Sequence, residues 1–166
     1  ASDGHLTTTQ AVQITVADVA PTITSAASRT VAENTAAAGT VTATDPGSTA
    51  LTYSISGTDA GLFAIDASTG ALTFKASPDY EQPSDADHDN IYKVTVAASD
   101  GHASTSQALQ ITVDNVNEAP HVTANSTSPS VGEGQAGASV TRFTASDPDA
   151  GDSVAVSLSG AYASLF

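Results

Sequence analysis

The chain of 166 residues carries 18 Asp and Glu against 4 Lys and Arg, a net charge of −14, and contains no cysteine, methionine or tryptophan. That balance lacks the basic footprint of a nucleic-acid binder, and without thiols there are no disulfides, thiolate metal sites or cysteine nucleophiles. No apolar run reaches the length that would insert across a membrane, and with aromatics at only 5% the core must be filled by Val, Ile, Leu and Ala.

Apolar and polar residues alternate with period two along most of the chain, the pattern of half-buried strands. Val12, Ile14 and Val16 come first, with Gln13 and Thr15 between them. Seven further strands are predicted at about 22–32, 39–44, 50–56, 62–66, 70–76, 90–98 and 104–114. Turn signals separate them: Asp45-Pro46-Gly47, Gly57-Thr58-Asp59 and Ser68-Thr69-Gly70. A proline- and acid-rich break runs from Ser77 to Asn90, and Ser99-Asp100-Gly101-His102 closes the last hairpin. Short strands at this spacing predict an all-β, immunoglobulin-like Greek-key sandwich without the disulfide.

The chain also repeats itself. Ala1-Ser2-Asp3-Gly4-His5 returns as Ala98-Ser99-Asp100-Gly101-His102, and Gln13-Ile14-Thr15-Val16 as Gln110-Ile111-Thr112-Val113. Pro21 returns as Pro120, Glu33 as Glu133, Thr44-Asp45-Pro46 as Ser146-Asp147-Pro148, and Leu62-Phe63 as Leu165-Phe166. A period of about one hundred residues means tandem beads of domain size. The predicted organisation is the end of one repeat at 1–18, a complete repeat at 19–117 and the N-terminal half of a third at 118–166. Neither partial repeat closes a sandwich alone. Either it frays, or an edge strand of one molecule completes the sheet of another in a strand-swapped dimer.

Most of the acid falls at strand ends and connections rather than on exposed strand faces. Glu33 ends the first strand of the complete repeat, and Asp79 and Glu81 flank Tyr80 in the long break. Asp114, Asn117 and Glu118 precede Pro120, and Asp147 and Asp149 flank Pro148 in the next repeat. Strand ends are the poles of a sandwich, where consecutive beads meet. Carboxylates and Asn amides converging there match Ca²⁺, which takes roughly six to eight oxygens at about 2.3–2.6 Å. With no soft ligand nearby, zinc and copper are disfavoured. The competing reading is ordinary turn chemistry, since Asp hydrogen-bonds its own backbone. A separate run, Asp85-Ala86-Asp87-His88-Asp89-Asn90, begins like an EF-hand loop but lacks the later Gly and Glu. It is either a local Ca²⁺ site, an extension of the polar site of Asp79 and Glu81, or a solvated loop. Catalysis is not indicated: the acids are too many and too tied to the repeat for a dedicated pair. The tyrosines Tyr53, Tyr80, Tyr92 and Tyr162 could stack on sugars, but their spacing favours core or edge positions.

Six motifs stand in a fixed order. They are Val31-Ala32-Glu33-Asn34; Ala43-Thr44-Asp45; Phe63, Ile65-Asp66, Thr69-Gly70 and Leu72; Pro78-Asp79-Tyr80-Glu81; Ala98-Ser99-Asp100-Gly101; and Val113 to Pro120. In these the whole chain resembles the bacterial cadherin-like repeats of large surface adhesins. The resemblance implies a cadherin-like sandwich in a secreted, extracellular array on the bacterial cell surface, whose junctions bind Ca²⁺ and stiffen. Residue by residue, Glu33, Asp79 and Glu81 match the upstream acidic positions. Asn117 and Glu118 match the linker's Asn-Asp pair, Asn115 or Asp114 its first acid, and Asp147 and Asp149 the downstream pair. The linker is one Asn shorter than the animal form, which implies one ion fewer than the family's usual three. The first junction, Asp18-Val19-Ala20-Pro21, has neither Asn nor Glu, and Gly47 stands where its second downstream acid would be. Asp18, Asp45 and Asp100 remain there, implying weak occupancy at most. The resulting expectation is a calcium-rigidified spacer that partners neighbouring repeats, with a carbohydrate-binding or homophilic recognition module as the alternative.

Overall fold

The computed structural model describes residues 1–47, 50–135, 137 and 139–160; the repeated Leu165-Phe166 and Tyr162 lie outside them. Among the described residues eleven strands run in chain order: β1 (Thr22–Ile23), β2 (Ser28–Ala32), β3 (Ala37–Thr40), β4 (Ala43–Thr44), β5 (Thr52–Ser56), β6 (Phe63–Ile65), β7 (Ala71–Phe74), β8 (Ile91–Ser99), β9 (Ser104–Asp114), β10 (His121–Ala124) and β11 (Phe143–Ser146). One 3₁₀ turn, Ala60–Leu62, precedes β6, and no α-helix occurs among the described residues. The strands build a four-stranded sheet in the order β2-β9-β8-β5 and a three-stranded sheet β3-β7-β6. The fold is an all-β sandwich.

Alternation decides which side chains enter the space between the sheets. Along β8, Tyr92, Val94, Val96 and Ala98 are buried, and along β9 Leu109, Ile111 and Val113. Leu72 and Phe74 of β7 and Phe63 of β6 face them from the other sheet. Phe63, Phe74 and Tyr92 form an aromatic cluster: Phe63 and Phe74 are tilted at 4.3 Å, and both meet Tyr92 edge-on at 5.8 and 5.1 Å. These edge geometries suit the ring quadrupoles. Gly70 at φ +72° accepts the Val41 N–H at 2.8 Å, and a Cβ there would strike the Val41 carbonyl. Only glycine fits both demands.

The predicted strand 22–32 is two strands. β1 pairs antiparallel with β4, whereas β2 pairs in parallel with β9, Arg29 opposite Ile111. The chain changes sheets at Ser25–Ala27, where the Ser25 N–H still reaches Thr42 and Ala27 already accepts from Gln110. The predicted strand 39–44 divides likewise, into β3 against β7 and β4 against β1, after an irregularity between Ala37 and Gly39. Arg29 ties the two sheets at this edge: its guanidinium donates to Ala38 O at 2.8 Å and Thr40 O at 3.3 Å.

The flanking segments differ from this body. Before β1, the described structure has one isolated bridge, Ser2 with Thr7, and Val12, Ile14 and Val16 are 76%, 82% and 90% exposed. After β9, a linker leads to β10, which pairs with β11 in an antiparallel ribbon.

Candidate metal centre

The pole where β2 and β9 end positions the site. Their parallel register carries Ala32 opposite Asp114. The next residue, Glu33, donates its N–H to Asp114 O at 3.0 Å and is only 2% exposed. Asn34 turns the chain at φ +60° and donates its N–H to Pro78 O, docking the 78–81 segment alongside. Glu33 then holds two segments with one carboxylate: Oε2 accepts the Tyr80 N–H and Oε1 the Val116 N–H, both at 2.8 Å. Asp79 closes a local turn, accepting the Gln82 backbone and side-chain amides at 2.9 and 3.2 Å.

From this pole the network crosses the linker. Asn115 Nδ2 donates to Glu81 Oε1 and to Asp149 Oδ1, each at 2.8 Å. Asp149, 8% exposed, accepts the Glu118 N–H on its other oxygen at 2.7 Å. Asn34 Nδ2 binds Glu118 Oε1 at 2.8 Å, and Asn117 Nδ2 the Glu118 carbonyl at 3.1 Å. Asp147 accepts the Asp149 N–H at 3.0 Å and so shapes the downstream turn. Glu33, Asp79 and Glu81 can each bring a carboxylate oxygen within 4.8 Å of the others, and Asp147, Asp149 and Asp152 form a second such group. Sequence reasoning passed over Asn34 and Asp152, although the Glu33-Asn34 pair and the close spacing of Asp147, Asp149 and Asp152 were available signals. Asp114 enters through its main-chain carbonyl.

The electrostatics of this seam are unbalanced. The ion pairs among the described residues involve Lys93 with Asp87 and Asp89 and do not touch it. Glu81 Oε2 is buried without a hydrogen-bond partner. Burial pushes the Glu81 carboxyl up, and the nearby charges of Glu33, Asp149 and Glu118 push it further. A buried carboxylate oxygen with no donor, facing other carboxylates, is the deficiency that a hard cation removes. All available donors are oxygens, so the residues fit Ca²⁺.

The other predicted positions lie apart. Asp85 is 1% exposed and accepts the Asp89 and Asn90 N–H groups at 2.9 and 3.2 Å. Lys93 Nζ sits 2.6 Å from Asp87 and 3.2 Å from Asp89, so this loop already has a cation of its own. The hydrogen bond that Lys93 donates to Asp87 lowers the Asp87 carboxyl and raises the Lys93 ammonium. Asp59, which the sequence marks only as the end of the Gly57-Thr58-Asp59 turn, is buried beneath the loop and accepts the Ala86 and Lys93 N–H groups at 3.0 and 2.7 Å. Asp100 caps its hairpin by accepting the His102 and Ala103 N–H groups, and Asp45 accepts the Gly47 N–H at 2.7 Å. Asp18 is exposed and lines a shallow groove with Pro46, Gly47 and His102. Of the tyrosines, Tyr92 is a core residue and Tyr80 is 38% exposed beside the seam.

A family model, "Cadherin domain", matches residues 27–114, more than half of the chain. The chain belongs to the cadherin domain family. Cadherin domains are extracellular, non-enzymatic adhesion modules that generally bind Ca²⁺. Among solved structures, the human protocadherin-24 EC1-2 fragment is similar at 25% identity and a TM-score of 0.54, over 69% of this chain and 52% of that one. The Drosophila N-cadherin EC1-4 fragment is similar at 26% identity and a TM-score of 0.51, over 62% of this chain and 27% of that one. The cadherin chain thus spans about half or less of these structures. A search of curated proteins finds no match. No helix of the described residues is long and apolar enough to cross a membrane.

Proposed function

We propose that this cadherin chain is a calcium-stiffened spacer of a bacterial surface adhesin, with 1–18 ending one repeat, 19–117 a complete repeat and 118–166 opening a third. One observation carries the reading: a single linker amide, Asn115, draws together Glu81 from before the linker and Asp149 from after it, while Glu81 Oε2 stays buried and unpartnered. Glu33, Asp79, Glu81, Asn115, Asn117, Glu118, Asp147 and Asp149 are the side chains that would hold the ion, with Asp114 behind them. A bound Ca²⁺ supplies the positive charge that lets these oxygens stay together. The residues themselves set the alignment: Glu33 holds the linker to the pole, and Glu118 and Asn115 hold Asp149 to the linker. Asp18, Asp45 and Asp100 contribute a weaker seam, and the Asp85, Asp87 and Asp89 loop is served by Lys93.

Calorimetric titration tests the reading. Calcium should bind with measurable heat, and millimolar Ca²⁺ should raise the melting temperature by mass action. Equal Mg²⁺ should do little, because it dehydrates reluctantly. Glu81→Ala should abolish most of the rise. Absence of heat, with the same melting temperature in calcium and in chelator, would overturn the proposal. Tyr80, exposed beside the seam, favours a second reading as a carbohydrate-binding module; a glycan array with and without chelator separates the two.

A further inference from the structure

Asn115 directly follows β9 and meets carboxylates from both sides of the linker. Its Nδ2 carries two hydrogens, and both Glu81 Oε1 and Asp149 Oδ1 lie 2.8 Å from it. Without a cation the amide has only one workable orientation, because turning it would set Oδ1 against two acceptors. The rest of the linker acts in the same sense. Val116 N–H donates to Glu33 Oε1 and Glu118 N–H to Asp149 Oδ2, at 2.8 and 2.7 Å. N–H groups donating to carboxylates are charge-assisted, and with Glu33 and Asp149 largely buried, water competes poorly for them.

We propose that Asn115 is a metal-independent clasp, holding the 78–81 segment and the 147–149 turn on one linker when no divalent cation is present. A carboxylate at this position would add repulsion to Glu33, Glu81, Glu118 and Asp149. The amide instead supplies two donors, and its Oδ1 leaves it a hard oxygen for an ion. These donors therefore hold part of the seam without calcium, while Glu81 Oε2 stays without a partner and the carboxylates still repel until an ion supplies the balancing charge. The inference rests on the residue set of the calcium reading but makes a distinct prediction, because it concerns the protein in chelator.

Amide hydrogen exchange on the 166-residue chain in chelator tests it. The Glu118 N–H is expected to be protected, and to exchange about ten- to a hundredfold faster in Asn115→Ala, the worth of a hydrogen bond to a charged group. The β8–β9 ladder amides should keep their wild-type rates, which shows the sandwich intact. Asn115→Asp, nearly the same shape without donors, should lose the protection equally. Equal Glu118 protection in all three proteins, or none in the wild type, overturns the clasp. Calcium calorimetry on the wild type is independent: a silent titration would remove the calcium reading and leave the clasp standing.

Discussion

Two stretches of this cadherin chain read almost alike and end differently. Leu109-Gln110-Ile111-Thr112-Val113 lies inside the four-stranded sheet with Ile111 fully buried, between β2 and β8. Val12-Gln13-Ile14-Thr15-Val16 has no ladder among the described residues, and Ile14 is 82% exposed. The following turns diverge in the same way. Asp45-Pro46-Gly47 and Asp147-Pro148-Asp149 open with the same side-chain-to-backbone bond, at 2.7 and 3.0 Å. Only the second carries a carboxylate at its third position, and that carboxylate takes two bonds from the linker. Alternation says which face of a strand would be buried; partners on both sides make it so. A turn motif likewise places a side chain without deciding whether anything meets it.

The largest effect should separate Ile111 from Ile14. Ile111→Ala leaves a cavity in a closed core and should cost about 2–5 kcal/mol. Ile14→Ala removes an exposed side chain and should stay within about 0.5 kcal/mol. Urea unfolding at fixed calcium measures both, and comparable losses would mean that residues 12–16 are packed in solution.

A smaller contrast lies in the turns. Asp149→Ala removes the acceptor of both Asn115 and Glu118, and should cut the calcium-linked rise in melting temperature by more than half. The reciprocal Gly47→Asp should be tolerated within about 0.5 kcal/mol. Gly47 has no positive φ, and a new Cβ would meet Asp45 Oδ1 at an ordinary 3.5 Å. It should add no matching calcium response, because Asp45 belongs to no cluster of three acids among the described residues. A full calcium response in Gly47→Asp would show that the downstream acid alone makes a seam.

These contrasts mark what can be read from residues alone. The strand faces were legible because Tyr92, Val94 and Val96, or Leu109, Ile111 and Val113, alternate without interruption. The change of sheet within 22–32 was not. Ile23 and Val31 have the same parity, so the pattern runs straight through Ser25–Ala27. The acids of the seam were visible because they cluster at strand ends. Asp59 was not, since its partners Ala86 and Lys93 lie 27 and 34 residues away and nothing local announces them. The Asp85–Asn90 run shows the limit from the other side. Its alternating acids suggest an ion loop, and Asp85, Asp87 and Asp89 do offer carboxylate oxygens within 4.8 Å of one another; what the run does not announce is Lys93, on the following strand, whose ammonium reaches Asp87 and Asp89.

The smallest expected effect is electrostatic and belongs to the second seam alone. Burial, then repulsion from Glu33, Asp149 and Glu118, raises Glu81 in the folded protein. A carboxyl whose folded pKa exceeds its unfolded value takes up a proton on folding, so stability in chelator should rise as pH falls through that folded pKa, until the ordinary glutamate value is passed. Asp66 and Asp100 have the opposite sign. Backbone N–H groups of Thr69 and Ser68, and of Ala103 and His102, lower them, so their contribution holds above the ordinary aspartate range and is lost only in stronger acid. The two windows do not overlap between neutral pH and the ordinary glutamate range. Melting curves in chelator, from neutral pH down to the ordinary glutamate range, should therefore rise more steeply on acidification for the wild type than for Glu81→Gln, which carries the neutral group throughout. Equal slopes would mean that Glu81 is solvated like a surface acid and that the seam stands open without its ion.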